Sequence, residues 1–189
     1  MRRLSSLFVV VAYMSAATAS NAQHANQQVM ANDTTKMTIT RQFNAPVEKL
    51  WNAWKEGASV MRWWGPEGFT CPVAKMNFKV GSTSLVCMRS PDGFEIYNSW
   101  TYTKIVPSNS IEFVQHFTDS AGNKINPSDI GLPPGIPDQV PHVITFKDVG
   151  KGRTEITIVE SGYANAQVAE ISKGGMASVL NKLALEVEK

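Results

Sequence analysis

Four of the five tryptophans fall within fourteen residues, at Trp51, Trp54, Trp63 and Trp64. That much indole has to be buried, and it demands a large apolar partner surface. Val47, Leu50, Trp51 and Trp54 stand at i, i+3, i+4 and i+7, which is one face of a helix. Asn44 stands where a cap is expected and Pro46 in the first turn. Gly57 breaks the pattern. A second short helix is expected over Ser59 to Trp63, ending at Gly65-Pro66. Two short helices with this apolar load cannot cover each other, so the rest of the chain must supply a surface for them.

That surface reads as a sheet. Thr38 to Phe43 alternates as a first strand, ahead of the helices. After them, Phe69 to Phe78 and Ser82 to Arg89 flank a turn at Gly81, and Pro91-Asp92-Gly93 makes the next hairpin. Phe94 to Ile105 places Phe94, Ile96, Trp100 and Tyr102 on one face, with Asn98 interrupting it. Ile111, Phe113, Gln115 and Phe117 repeat the pattern. Val140 to Asp148 and Arg153 to Glu160 form a last hairpin around Val149-Gly150-Lys151-Gly152. From about Ala164 to Val187 the chain is helical, with Val168, Ile171, Val179, Leu183 and Val187 on a stripe and Leu180 beside it. Gly174-Gly175 interrupts this helix, at about 1 kcal/mol for each glycine relative to alanine. Close backbone packing is the expected reason, ahead of a kink.

The order is therefore β-α-α-β6-α, an α+β chain. One long helix cannot cover both faces of six antiparallel strands. A curved antiparallel sheet gripping the C-terminal helix, with its outer face wet, is the simplest solution. Such a sheet leaves a space beside the helix, where small molecules commonly bind.

The N-terminus reads as an export signal over residues 1–22. Arg2 and Arg3 precede the apolar run Leu7 to Tyr13, which is too short to span a bilayer, and Ser20-Asn21-Ala22 suits cleavage before Gln23. Residues 23–36 read as a disordered lead-in and residues 37–189 as the domain. Cleavage removes two arginines and no acid. The remaining 167 residues carry sixteen basic and sixteen acidic side chains. That balance argues against a nucleic-acid partner, and no later apolar run suggests membrane insertion once the signal is gone. An exported, periplasmic or secreted protein is expected. If Lys79 pairs with Ser82, Cys71 faces Ser90 and Cys87 faces Ala74. The thiols then lie on opposite sheet faces, so two separate thiols are expected rather than a disulfide.

The sequence shows no phosphate loop, nucleophile elbow or metal-ligand spacing, so neither a cofactor nor a metal is expected. His142 shares parity with Ile144 and Phe146 and reads as a satisfied, half-buried side chain. His116 shares parity with Glu112 and Val114, the wet face. Asn98 and Gln115 sit on otherwise apolar faces, where an unpaired amide is costly. Hydrogen bonds to a ligand, to a fixed water or within the protein all remain open. Gly122 to Gln139 holds Pro127, Pro133, Pro134 and Pro137, which favours an ordered flap, either a lid or a surface strap.

These motifs occur in a recognisable order. They are Phe43-Asn44-Ala45-Pro46 through Leu50-Trp51-Asn52-Ala53-Trp54, then Trp63-Trp64-Gly65-Pro66, Lys79-Val80-Gly81, Met88-Arg89-Ser90-Pro91-Asp92-Gly93, and Gly175-Met176 with Leu180 and Leu183. From Met37 to Lys189 the chain resembles the START-like, or SRPBCC, superfamily. Its nearest resemblance there is to the branch related to the C-terminal domain of the heat-shock-protein-90 ATPase activator. It departs from the pattern with Gly81-Ser82 where two glycines are usual, and with Gly175-Met176 where Gly-Trp is usual. The resemblance implies a helix-grip fold with a hydrophobic cavity. It implies no single function, because the scaffold hosts lipid and steroid carriers, polyketide cyclases and cochaperones.

The expected function is the binding of a small apolar or aromatic molecule without covalent chemistry. Asn98, Trp100, Tyr102, Phe113, Gln115, His142 and Met176 are expected to line the cavity, with Ile130, Leu132 and Ile136 in a lid. One alternative is a cyclase- or hydrolase-type enzyme using His142 or Tyr97 as acid–base. The other is a protein-interaction module with a filled core. Ligand identity and oligomeric state are not specified by the sequence.

Overall fold

The computed structural model describes residues 35–189. The expected signal, and the lead-in before residue 35, lie outside the described residues. Lys36 already opens the first strand, one residue ahead of the expected domain start.

Strand β1 (Lys36–Phe43) leads into helices α1 (Val47–Lys55) and α2 (Gly57–Trp63). Strands β2 (Thr70–Lys75), β3 (Thr83–Arg89), β4 (Glu95–Val106) and β5 (Ser110–Thr118) follow. A 3₁₀ turn (Pro127–Ile130) then precedes β6 (Gln139–Gly150), β7 (Arg153–Ser161) and the long helix α3 (Ala166–Val187). All seven strands form one antiparallel sheet in the order β1-β7-β6-β5-β4-β3-β2. The sheet curls into a half-barrel around α3, which is the helix-grip arrangement.

Burial alternates strictly along the last hairpin. Val140, His142, Ile144 and Phe146 of β6 face inward, as do Thr154, Ile156, Ile158 and Glu160 of β7. Helix α3 answers with Val168, Met176, Val179, Leu180, Leu183 and Val187. Its first turn is capped by Asn165, whose side chain accepts from the Val168 amide at 3.0 Å.

The helix pair closes one end of the half-barrel. Leu50, Trp54, Val60 and Trp63 are fully buried. The indoles make a continuous cluster. Trp54 lies 4.7 Å from Trp63 and 6.2 Å from Trp100, and Trp64 lies 4.6 Å from Trp100, between ring centroids. Trp63 Nε1 donates to the Ala53 carbonyl at 3.0 Å.

Several local expectations are corrected. Asn44 does not cap α1. Pro46 occupies the cap position, and the Asn44 amide donates to Glu188 Oε1 at 3.0 Å. Phe94 precedes β4 and is 46% exposed, because it belongs to the hairpin turn. Ile171 is 55% exposed, so the buried stripe of α3 does not include it. The β2–β3 register is one residue from the expected one at Val73, which opposes Cys87 in place of Ala74, and an irregularity between Thr70 and Val73 shifts it by one more, so that Thr70 opposes Arg89. Both thiols are nonetheless free and buried. Burial pushes the Cys71 thiol up to about 11.

The glycine pair in α3 is the largest correction. The helix runs through Gly174 and Gly175 without a break. A Cβ built on either would meet no neighbouring atom within 4 Å. Neither glycine allows a close approach. They leave space.

Candidate functional site

That space is a cavity of about 280 Å³ between the concave sheet face, the N-terminal half of α3 and the proline-rich segment. Gly175, Met176 and Val179 form its helix side. Met88, Asn98, Gln115 and Phe117 form the wall from β3, β4 and β5, and Val140, His142 and Glu160 the wall from β6 and β7. Trp64 and Pro66 border it from the end of the helix pair, Leu132 and Ile136 from the proline-rich segment.

The proline-rich segment is tied down at the start of α3. The Ala164 amide donates to the Gly135 carbonyl at 3.1 Å. Gly135 has φ +95°, and a Cβ there would come within 3.0 Å of Val168 Cγ2 and 3.1 Å of Ala164 Cβ. Only glycine fits both the backbone and the contact. Leu132 and Ile136 are thereby held against the cavity, whereas Ile130 is half-buried in the 3₁₀ turn and off the cavity wall.

Of the residues expected on the wall, Asn98, Gln115, His142 and Met176 are brought together there. Trp100, Tyr102 and Phe113 are not. They share the inward face with Asn98 and Gln115 but lie further along the strands, toward the helix pair. Trp100 stacks on Phe113 at 5.1 Å, and Tyr102 packs on Phe78 and hydrogen-bonds Ser84 at 3.0 Å. Phe113 in turn stacks on His142 at 4.6 Å with the ring planes 13° apart. Strand parity fixes the face of a residue, not its depth along the barrel. Tyr97 points to the opposite face of β4 from Asn98 and hydrogen-bonds Glu95 at 3.1 Å, so it lies away from the cavity. His116 is half-buried and contacts Lys124 Nζ at 2.9 Å.

A polar cluster missed in the sequence borders the cavity. His142 and Glu160 are register partners across β6 and β7. His142 Nε2 lies 3.0 Å from Glu160 Oε1, and His142 Nδ1 lies 2.9 Å from the Val140 carbonyl. Both ring nitrogens thus face oxygen atoms, one of a carboxylate and one of a backbone carbonyl. Glu160 Oε2 accepts from Tyr163 and, at 2.9 Å, from Ser172 of α3. Burial pushes the Glu160 carboxyl up. The charge of His142 and the hydrogen bonds of His142, Tyr163 and Ser172 outweigh it, so the group titrates below its ordinary 4.5. Burial, and then the charge of Glu160, hold the Tyr163 phenol well above its usual range. The sequence did contain the signal: Glu160 continues the inward parity of Ile156 and Ile158, and the Gly150 hairpin sets it opposite His142.

Asn98 is the reverse case. It is fully buried on the cavity wall, and neither its side-chain oxygen nor its nitrogen has a hydrogen-bond partner. The indole N–H of Trp64, on the same wall, is also unpartnered. The wall therefore combines a large apolar surface, one satisfied polar cluster and two unsatisfied polar side chains. That arrangement suits binding and orienting a molecule.

Residues 44–188 match the model of the family described as Activator of Hsp90 ATPase homolog 1-like protein. The chain belongs to that family. Solved structures agree on the fold of this Hsp90-activator-homologue domain. A protein from Chromobacterium violaceum is 24% identical with a TM-score of 0.67, over 82% of this chain and 98% of that one. One from Mycobacterium smegmatis is 26% identical with a TM-score of 0.65, over 81% and 90%. An AHSA1 protein from Silicibacter pomeroyi is 19% identical with a TM-score of 0.65, over 81% and 97%. Among curated proteins, none matches the chain.

Proposed function

We propose that this member of the family is an exported protein that binds a small, mostly apolar molecule in the cavity beside α3, without covalent chemistry. The observation that carries the reading is the apolar pocket itself, walled by Met88, Phe117, Val140, Met176 and Val179. Gly175 borders it, and a Cβ there would meet no neighbouring atom within 4 Å, so no side chain of the helix closes the space at that point.

The cavity favours this reading over an interaction module with a filled core. It also favours it over acid–base catalysis. Tyr97 is on the other sheet face, and His142 is held between Glu160 and a backbone carbonyl, with no ring nitrogen left for a substrate. The export part of the proposal rests on residues 1–22 alone.

The test is uptake of N-phenyl-1-naphthylamine, a neutral apolar dye whose fluorescence rises on leaving water. Saturable uptake with one site per chain is expected. No uptake by the folded protein would overturn the proposal.

A further inference from the structure

We infer that the cavity selects a neutral two-ring molecule carrying a ring-amide (lactam) edge, read by Asn98 and Trp64. This rests on the ligand-binding reading above and adds the chemical class of the ligand.

Size comes first. A dry cavity of roughly 150 Å³ accepts benzene. The space here is about 280 Å³ and open at its mouth, room for a second ring.

Charge comes second. The ionisable residues on the wall are His142, Glu160 and Tyr163, and they are bonded to one another and to Ser172. No counter-charge is left for an ion, and burying an unpaired ion is prohibitively costly. The occupant is neutral.

The polar edge comes third. The closed cluster asks nothing of a ligand, whereas Asn98 does. An amide buried with both ends unpaired calls for an explanation, and Asn98 is 0% exposed. Trp54 and Trp100 also have unpaired indole N–H groups, but these sit inside the indole cluster and off the cavity wall. Asn98 differs in being on the wall and in lacking partners for both a donor and an acceptor. Its complement is an acceptor and a donor side by side in one plane, as in the C=O and N–H of a lactam. A carbonyl oxygen has two lone pairs, so the same group can also take the Trp64 N–H.

The experiment is calorimetric titration of the intact protein with 2-quinolinone, 1-methyl-2-quinolinone and naphthalene. The first presents the full edge, the second lacks the donor and the third lacks both groups. The parent protein is expected to bind 2-quinolinone at least about tenfold more tightly than either of the others, since each loses hydrogen bonds and strands a buried amide. Asn98→Leu is expected to fold, because it replaces an unpaired amide by an apolar group of similar size. It should retain naphthalene and lose the preference. Equal binding of all three probes by the parent overturns the lactam inference and leaves the cavity reading intact. So does a preference that survives Asn98→Leu. Binding of none of the three overturns the cavity reading itself. If Asn98→Leu does not fold, the comparison of the three probes on the parent decides alone.

Discussion

Glu160 and His142 face each other across the β6–β7 ladder, 3.0 Å apart and both 3% exposed, beside the candidate ligand cavity. The pair does more than fill the wall. Through Glu160 Oε2 it also holds Tyr163 and Ser172, so it fastens the N-terminal part of α3 to the sheet. Removing one partner of a buried hydrogen-bonded pair leaves the other unsatisfied, which typically costs about 1–3 kcal/mol. Glu160→Gln is therefore expected to lower urea-unfolding stability at pH 7 by that order, and a loss below about 1 kcal/mol would show that the pair does not hold the helix. The pH dependence follows from the depressed folded pKa of Glu160, which lies below its ordinary 4.5. The stabilisation is complete above about pH 4.5 and is lost as pH falls through the folded value. The parent should lose stability in that acid range, and Glu160→Gln should lose less there. The residual acid slope belongs to exposed carboxylates with lowered values, such as Glu95 and Asp119.

The indole cluster carries the closed end of the barrel. Trp54 is 1% exposed and contacts Trp63, Trp64 and Trp100. Trp54→Ala should cost about 3–5 kcal/mol in chemical denaturation, the usual range for truncating a buried aromatic residue. A cost under about 1 kcal/mol would contradict the packing described.

The proline-rich segment depends on Gly135. Alanine there meets both a positive φ of 95° and contacts of 3.0–3.1 Å to Val168 and Ala164. A loss of about 1–3 kcal/mol is expected from backbone strain of this kind. The more specific readout is hydrogen exchange at the Ala164 amide, which donates to the Gly135 carbonyl. Exchange should quicken there, before any change at the Ile144 and Ile158 amides of the central strands.

Export is tested independently of structure. The N-terminus of protein recovered outside the cytoplasm is expected near Gln23, after Ser20-Asn21-Ala22. A recovered chain beginning at Met1 would contradict the localisation.

Much of the fold was legible because two periodicities are strong here. The 3.6-residue spacing of Leu50, Trp51 and Trp54 placed α1, and the alternation of Ile144, Phe146, Ile156 and Ile158 placed the last hairpin. What periodicity could not give is depth. Trp100 and Phe113 share a face with Asn98 and Gln115 but sit beneath the wall, because the helix pair covers that end of the strands. Nor could it give free space. Two adjacent glycines in a helix suggested close backbone packing, and only the position of the opposing elements shows that nothing approaches them. Glu160 was legible in principle from its parity with Ile158. A glutamate at a strand end usually faces solvent, so parity alone does not mark it as buried.

The most direct test of the account is dye uptake by Gly175→Leu. Its Cβ meets nothing within 4 Å and Gly175 lines the cavity, so the added side chain should occupy the space rather than displace the backbone. Uptake of N-phenyl-1-naphthylamine should be abolished while unfolding stability stays within about 1 kcal/mol of the parent, since overpacking a dense core would instead cost about 1–3 kcal/mol. Unchanged uptake by the folded variant, or unfolding of the variant together with no uptake by the parent, would contradict a binding cavity at this position.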